Sequence, residues 1–295
     1  MKDDEVDDND EGSYKGTSTV EVYDPLTGAF KQVSRMTTER HRHAGAALDG
    51  KIYVMGGQDV IDEGGDVESI NTADVYDPQS DQWRPLANMA TGRRCFAVAT
   101  AGGKIYAIGG ETSDGMSTVT VEAFDPLLGA WAFVASLSVG RCYHAAAVIN
   151  GKIYAIGGMR PGSESIDSVD AYDPQADSWQ QVACMPQPRR LHAAVAMAGK
   201  IYVSGGNLED DSFTSTFLVF DPQASTWTQL ASMGTGRGDH TSTAIGGKLY
   251  VFGGYSKDDG HGRIASAEAY DPISDTWDYV PNLTSARDEF VAVAL

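Results

Sequence analysis

The chain is poor in cysteine, poor in basic residues and free of long apolar runs. Its three cysteines, Cys95, Cys142 and Cys184, form no Cys-x-x-Cys pair and are odd in number, which argues against a disulfide framework and against a zinc centre. A reducing, cytoplasmic setting is the expectation that follows. No apolar stretch approaches the roughly 18 residues of a membrane span, and the acidic start lacks the basic-then-apolar plan of a signal peptide. Only 22 basic side chains face 41 acidic ones, for a formal charge of −19. Such a field opposes nucleic acid and anionic membrane and favours a neutral or basic protein or peptide. Residues 1–12 hold seven acids and one lysine, yet the remaining chain is still acidic. Residues 1–16 are therefore expected to be a disordered acidic segment preceding a folded domain over 17–295.

What the chain does have is glycine, 33 residues, with 11 prolines, the composition of many short strands joined by tight turns. It also repeats itself. GKIYVMGG ends at Gly57, GKIYAIGG at Gly110 and Gly158, GKIYVSGG at Gly206 and GKLYVFGG at Gly254, a spacing of 48 to 53 residues. That is the range of a propeller blade. An aromatic-Asp-Pro follows each copy, ending at Pro78, Pro126, Pro174, Pro222 and Pro272, and one more ends at Pro25 near the start. Six residues beyond each Asp stands a large aromatic: Phe30, Trp83, Trp131, Trp179, Trp227 or Trp277. Further on, always in register, come Arg40, Arg93, Arg141, Arg189, Arg237 and Arg287. Only the stretch between Gly-Gly and the aromatic-Asp-Pro changes length, so insertions are confined to one loop per repeat.

Physically, the segment after each arginine reads as an inner strand and the GKIYAIGG segment as a second, apolar strand. Pro cannot donate to a ladder and Asp starts turns, so aromatic-Asp-Pro closes a third strand and the Trp lies on a fourth. Gly-Gly in register with Tyr-Asp-Pro and Trp, over nearly the whole chain, resembles the Kelch family. The resemblance implies an all-β, six-bladed Kelch propeller of four-stranded blades around a central channel. Its sixth blade would be closed by strands from the two termini, with RDEFVAVAL innermost and TVEVYDPLTGAFKQV outermost. That blade lacks a clear second strand, since residues 1–9, MKDDEVDDN, are too charged for a buried one. A fragment of a longer chain, or a misassigned first exon, is the expected origin of this defect.

The variable loops and the entries to the inner strands share one face, where rigid scaffolds usually carry function. An acid two residues before the aromatic recurs at Glu21, Asp74, Glu122, Asp170 and Glu268, and is expected to pair with the repeated arginines. In the fourth full repeat Leu218 replaces it, which makes Arg189 or Arg237 a candidate ligand-binding cation. Residues of this face that do not repeat are the other candidates for partner binding: Arg94, Arg190, Arg160, Phe213, Tyr255 and Arg263. The loop QDVIDEGGDVESIN, with five acids and no base, reads as solvated or as an attractor for a basic segment. His43, His144, His192 and His240 share one motif position, but Phe96 and Phe290 hold it in the other two repeats, so packing is expected there and no metal.

No cofactor or catalytic residue is expected either. The residues of a galactose-oxidase-like copper centre and the Glu-x3-Asp-x3-His string of plant specifier proteins cannot be found. The resemblance implies a protein-interaction module, and a substrate-recognition propeller of a ubiquitin-ligase adaptor if the chain is a fragment. The alternative is a carbohydrate-modifying enzyme of the sialate mutarotase type, which uses Arg, Glu and His at a propeller mouth.

Overall fold

The computed structural model describes residues 17–60, 67–257 and 262–294. Each full repeat folds into a four-stranded antiparallel meander. The first blade runs through Ala44–Leu48, Lys51–Met55, Ala73–Asp77 and Gln82–Pro85. The inner strands of the next four are Ala97–Ala101, Ala145–Ile149, Ala193–Met197 and Thr241–Ile245, and consecutive inner strands touch around the axis. Beyond their first lysine the second strands are almost wholly apolar, because a neighbouring blade covers each face; Ile105, Ala107 and Ile108 are fully buried. The core accordingly lies between blades, as where Tyr53 and Met55 of the first pack with Ile105 and Phe124 of the second.

The Gly-Gly pair shows why no side chain is tolerated there. Gly157 and Gly158 have φ of +55° and +101°. A Cβ on Gly157 would lie 2.9 Å from the Arg189 carbonyl and 2.9 Å from the His192 ring, and one on Gly158 would lie 2.6 Å from the His144 Cβ. The pair is thus wedged between the inner strands of its own blade and the next, and Gly158 N–H donates to the Arg189 carbonyl at 2.9 Å. On the opposite face, Asp77 Oδ1 accepts from Gln79 N–H at 3.0 Å, its other oxygen meets Lys51 at 3.1 Å, and the other blades repeat the arrangement. This ties the two tight turns of each blade together. Each Trp packs on the aromatic of its own Tyr/Phe-Asp-Pro, with centroids 4.9–5.2 Å apart. Four of the five indoles also donate to a carbonyl of the preceding segment, for example Trp131 to Ala87 at 2.9 Å. The fifth, Trp227, follows the blade whose outer pair carries a bulge at Val169/Asp170, and its indole N–H is unpaired.

The expectation of six blades is corrected: the described residues form five. Between the fifth and the first lie a two-stranded hairpin, Glu21–Asp24 with Ala29–Gln32, and a C-terminal segment, Arg287–Ala294, that forms no strand. The reason is geometric. Inner and third strands sit two spacings apart, roughly 9.5 Å, and with no second strand between them among the described residues no ladder joins hairpin to C-terminal segment. Residues 1–16, where that strand and the expected disordered segment would fall, lie outside the described residues. The gap is filled by contacts instead. Tyr23 and Phe30 pack edge-on against Phe252, Trp83 donates to Ser34 O at 2.9 Å, and Val291 packs against Gly45. Ala292 N–H donates to Thr241 Oγ1 at 3.0 Å, and Arg287 pairs with Glu21 at 3.1 Å.

Candidate functional site

The repeated arginines are structural. Arg40, Arg93, Arg141 and Arg237 are at most 1% exposed and meet Asp74, Glu122, Asp170 and Glu268 of their own blades. Each also donates to the carbonyl of the first glycine of its blade's Gly-Gly, as Arg237 does to Gly253 O at 2.8 Å. Two acids reach further: Glu122 accepts from Ala90 and Thr91 N–H, and Glu268 from Gly234 N–H, securing the loop that leads into their blade. Arg237 is therefore removed from the ligand candidates, being buried and paired.

Arg189 does lack a carboxylate among the described residues, as the Leu218 exception implies, but it is 1% exposed and no ligand on the surface reaches it. It donates to Gly205 O at 3.0 Å and Thr216 Oγ1 at 3.1 Å, and burial pushes its pKa down to about 10. Donor and acceptor have been lost together here. Pro186 occupies the place of Ala90 and Gly234, whose N–H groups bind the acid in the other blades.

The other candidates lie on the loop face, but as pairs. Arg94 meets Glu111 at 2.6 Å, Arg190 meets Asp211 at 2.5 Å and donates to Ser165 Oγ at 2.9 Å, and Arg263 meets Asp288 at 2.8 Å. Arg160 meets Glu164 within its own two-stranded loop. Phe213 and Tyr255, half-buried, stack at a tilt with centroids 5.6 Å apart, and Lys257 Nζ lies 5.5 Å from the Phe213 ring. Residues 61–66 of the acidic loop 58–71, with three of its five acids, lie outside the described residues.

The channel opens at the centre of this face, and its lining was not among the candidates. Two residues after each arginine stand Arg42, Cys95, Tyr143, Leu191, Asp239 and Glu289, all with φ between 50° and 60°, a conformation costly for residues with a Cβ. A belt of backbone bonds holds them: each of Cys95, Tyr143, Leu191, Asp239 and Glu289 donates its N–H to the carbonyl of the one before, at 2.8–3.1 Å. Beneath lie His43, Phe96, His144, His192, His240 and Phe290. Burial drives the histidine pKa values down, to about 3 for His43 and His192, so the rings are neutral. The cavity they enclose is about 120 Å³. At its rim His41 Nε2 contacts Glu289 Oε2, and Arg42 Nε meets Glu289 Oε1 at 2.8 Å. Burial opposes the charge on Glu289, but these two partners hold its pKa below the usual carboxylate range. The sequence carried one signal for this ring: the position differs in all six repeats, inside the most uniform stretch of the chain.

The KLHDC2/KLHL20/DRC7 Kelch-repeats domain matches residues 91–237 and 143–293, and a Kelch motif matches 39–90. The chain belongs to the Kelch-repeat family. This Kelch propeller is 32% identical over 93 residues to Kelch-like ECH-associated protein 1B of Danio rerio, an alignment covering 32% of this chain and 16% of that protein. It is 32% identical over 103 residues to an F-box/kelch-repeat protein of Arabidopsis thaliana, covering 35% and 26%. The matches thus span about a sixth to a quarter of the length of these relatives. The solved structure of YjhT superposes with a TM-score of 0.74 at 17% identity, over 88% of this chain and 89% of that one, and shares the fold.

Proposed function

We propose that this Kelch propeller is a protein-binding module whose partner docks on the loop face, across the channel mouth. The observation that carries the reading is the make-up of that face. Its cavity of about 120 Å³ is well below the roughly 300–1,000 Å³ of clefts that enclose small molecules. Around it spreads a rim of arginines and the half-buried Phe213–Tyr255 pair, the side-chain types that dominate protein interfaces. The rim arginines are pre-positioned by their carboxylates, so a partner meets an ordered surface. A narrower form of the reading, substrate recognition for a ubiquitin ligase, is supported by the similarity to Kelch-like and F-box/kelch-repeat proteins.

The test is affinity capture from source-cell lysate with a loop-face variant, Arg94→Ala/Arg190→Ala/Phe213→Ala. Its control is an opposite-face variant, Leu26→Ser/Leu127→Ser/Ile273→Ser, which alters three turn residues that are 95–96% exposed. A partner lost only from the loop-face variant supports the reading; one lost only from the control overturns it.

One contact favours a second reading. His41 against Glu289, with Arg42 alongside, supplies the residue types of a general acid–base pair for sugar anomerisation of the mutarotase kind. Saturation-transfer NMR across the anomers of candidate sugars tests it, with Glu289→Gln expected to abolish any acceleration.

A further inference from the structure

We propose that the channel mouth is a receptor for a lysine side chain presented by the protein partner. The inference rests on the protein-binding reading and gives it a chemistry. Among the carboxylates at the mouth, Glu289 is held by His41 and Arg42, and Asp288 by Arg263. The carboxylate of Asp239, which lines the cavity, has no hydrogen bond or ion pair among the described residues. His144, 6% exposed, lines the same cavity with its ring nitrogens buried in the wall, which makes it a reporter of occupancy and not a ligand. A carboxylate lacking donors is complemented by a compact group that only donates, and an ammonium carries three donors and no acceptor.

Size decides the source. A volume of about 120 Å³ is that of roughly four waters, the tip of one side chain. Such a guest gains little affinity unless a larger body delivers it, and the rim around the mouth is where that body would rest. Charge agrees: the described rim arginines are neutralised by their own carboxylates, and the chain as a whole is strongly acidic. Burial, Glu289 and Asp288 raise the Asp239 pKa, while Arg42 and Arg190 pull it down; Cys95, Tyr143 and the neutral histidines also face it. Binding should therefore tighten as rising pH strips the proton from the free carboxylate.

The experiment follows the histidine Cε1–H signals by NMR. The intact chain is titrated with acetyl-Gly-Gly-Lys-Gly-Gly-amide, with its Nε-acetyl analogue, and with butylammonium. The lysine peptide should shift the His144 signal with a Kd of roughly millimolar, an affinity fit for one side chain. The acetylated peptide should not. Asp239→Asn, with unchanged melting temperature, should weaken the lysine peptide by about tenfold or more. Equal response to the acetylated peptide, undiminished binding by Asp239→Asn, or no shift at all overturns the inference. Butylammonium binding with the peptide excluded also overturns it, because the source is then a free amine. No shift from the peptide while capture still depends on the loop face defeats the lysine receptor alone and leaves the binding module standing.

Discussion

Replacing Arg237 and Arg189 by methionine in turn should give sharply different losses, although the two arginines occupy the same place in adjacent blades. Both donate to the carbonyl of the first glycine of their Gly-Gly, so both substitutions leave a similar backbone acceptor unpaired. They differ in what else remains. Without Arg237, Glu268 is left 1% exposed with its cation gone, and stranding one partner of a buried pair costs about 3–5 kcal/mol. Without Arg189 no carboxylate is stranded. Moreover, a pKa pushed down to about 10 by burial means that the charged form is disfavoured by roughly 3 kcal/mol in the fold. Methionine relieves that cost, which offsets part of the loss of two hydrogen bonds at about 1.5–3 kcal/mol each. Arg237→Met should therefore be less stable than Arg189→Met by about 3 kcal/mol or more, at about 2–4 °C of melting temperature per kcal/mol for a large domain. Calorimetry and urea unfolding of the two variants read this directly. Equal losses, or a larger loss for Arg189→Met, would refute the division between paired and unpaired blades.

Gly157→Ala should destabilise by about 3 kcal/mol or more, because it combines a left-handed φ with backbone and ring contacts at 2.9 Å; Gly151→Ala, also left-handed but with open space around it, should cost less. The channel histidines should make the propeller acid-sensitive. His192 has a folded pKa of about 3 against 6.5 ordinarily, so the unfolded chain takes up the proton first and stability, full above about pH 6.5, falls as pH drops towards 3. At about pH 5.5 the loss is about 1.4 kcal/mol for this one group. His192→Phe, the residue two sister repeats carry at this position, should lose about that much less between pH 7.5 and 5.5, read by urea unfolding at each pH.

Most of the architecture was legible because a propeller repeats its constraints. Gly-Gly, Arg, aromatic-Asp-Pro and Trp recur because each blade needs the same wedge, pair, turn and packing, and the pairing of Arg237 with Glu268 follows from comparing repeats. The exception at Leu218 narrowed the arginine without a carboxylate to Arg189 or Arg237, but burial is a tertiary property and the repeat could not reveal that both side chains face the interior. The sixth blade, not formed among the described residues, had the same cause in reverse: the outer hairpin and inner segment match the repeat residue by residue, yet a ladder requires a strand between them. The ring of Arg42, Cys95, Tyr143, Leu191, Asp239 and Glu289 was passed over because attention went to the loops, where length varies. The axis varies in residue identity at fixed length.

The most direct test of a loop-face binding module is hydrogen–deuterium exchange of the propeller alone and bound to the partner that capture identifies. Protection should concentrate in peptides spanning 94–96, 111–117, 190–192 and 207–213, around the channel mouth. Protection confined to the turns at 26–28, 127–129 and 273–275 would place the partner on the opposite face and contradict the assignment.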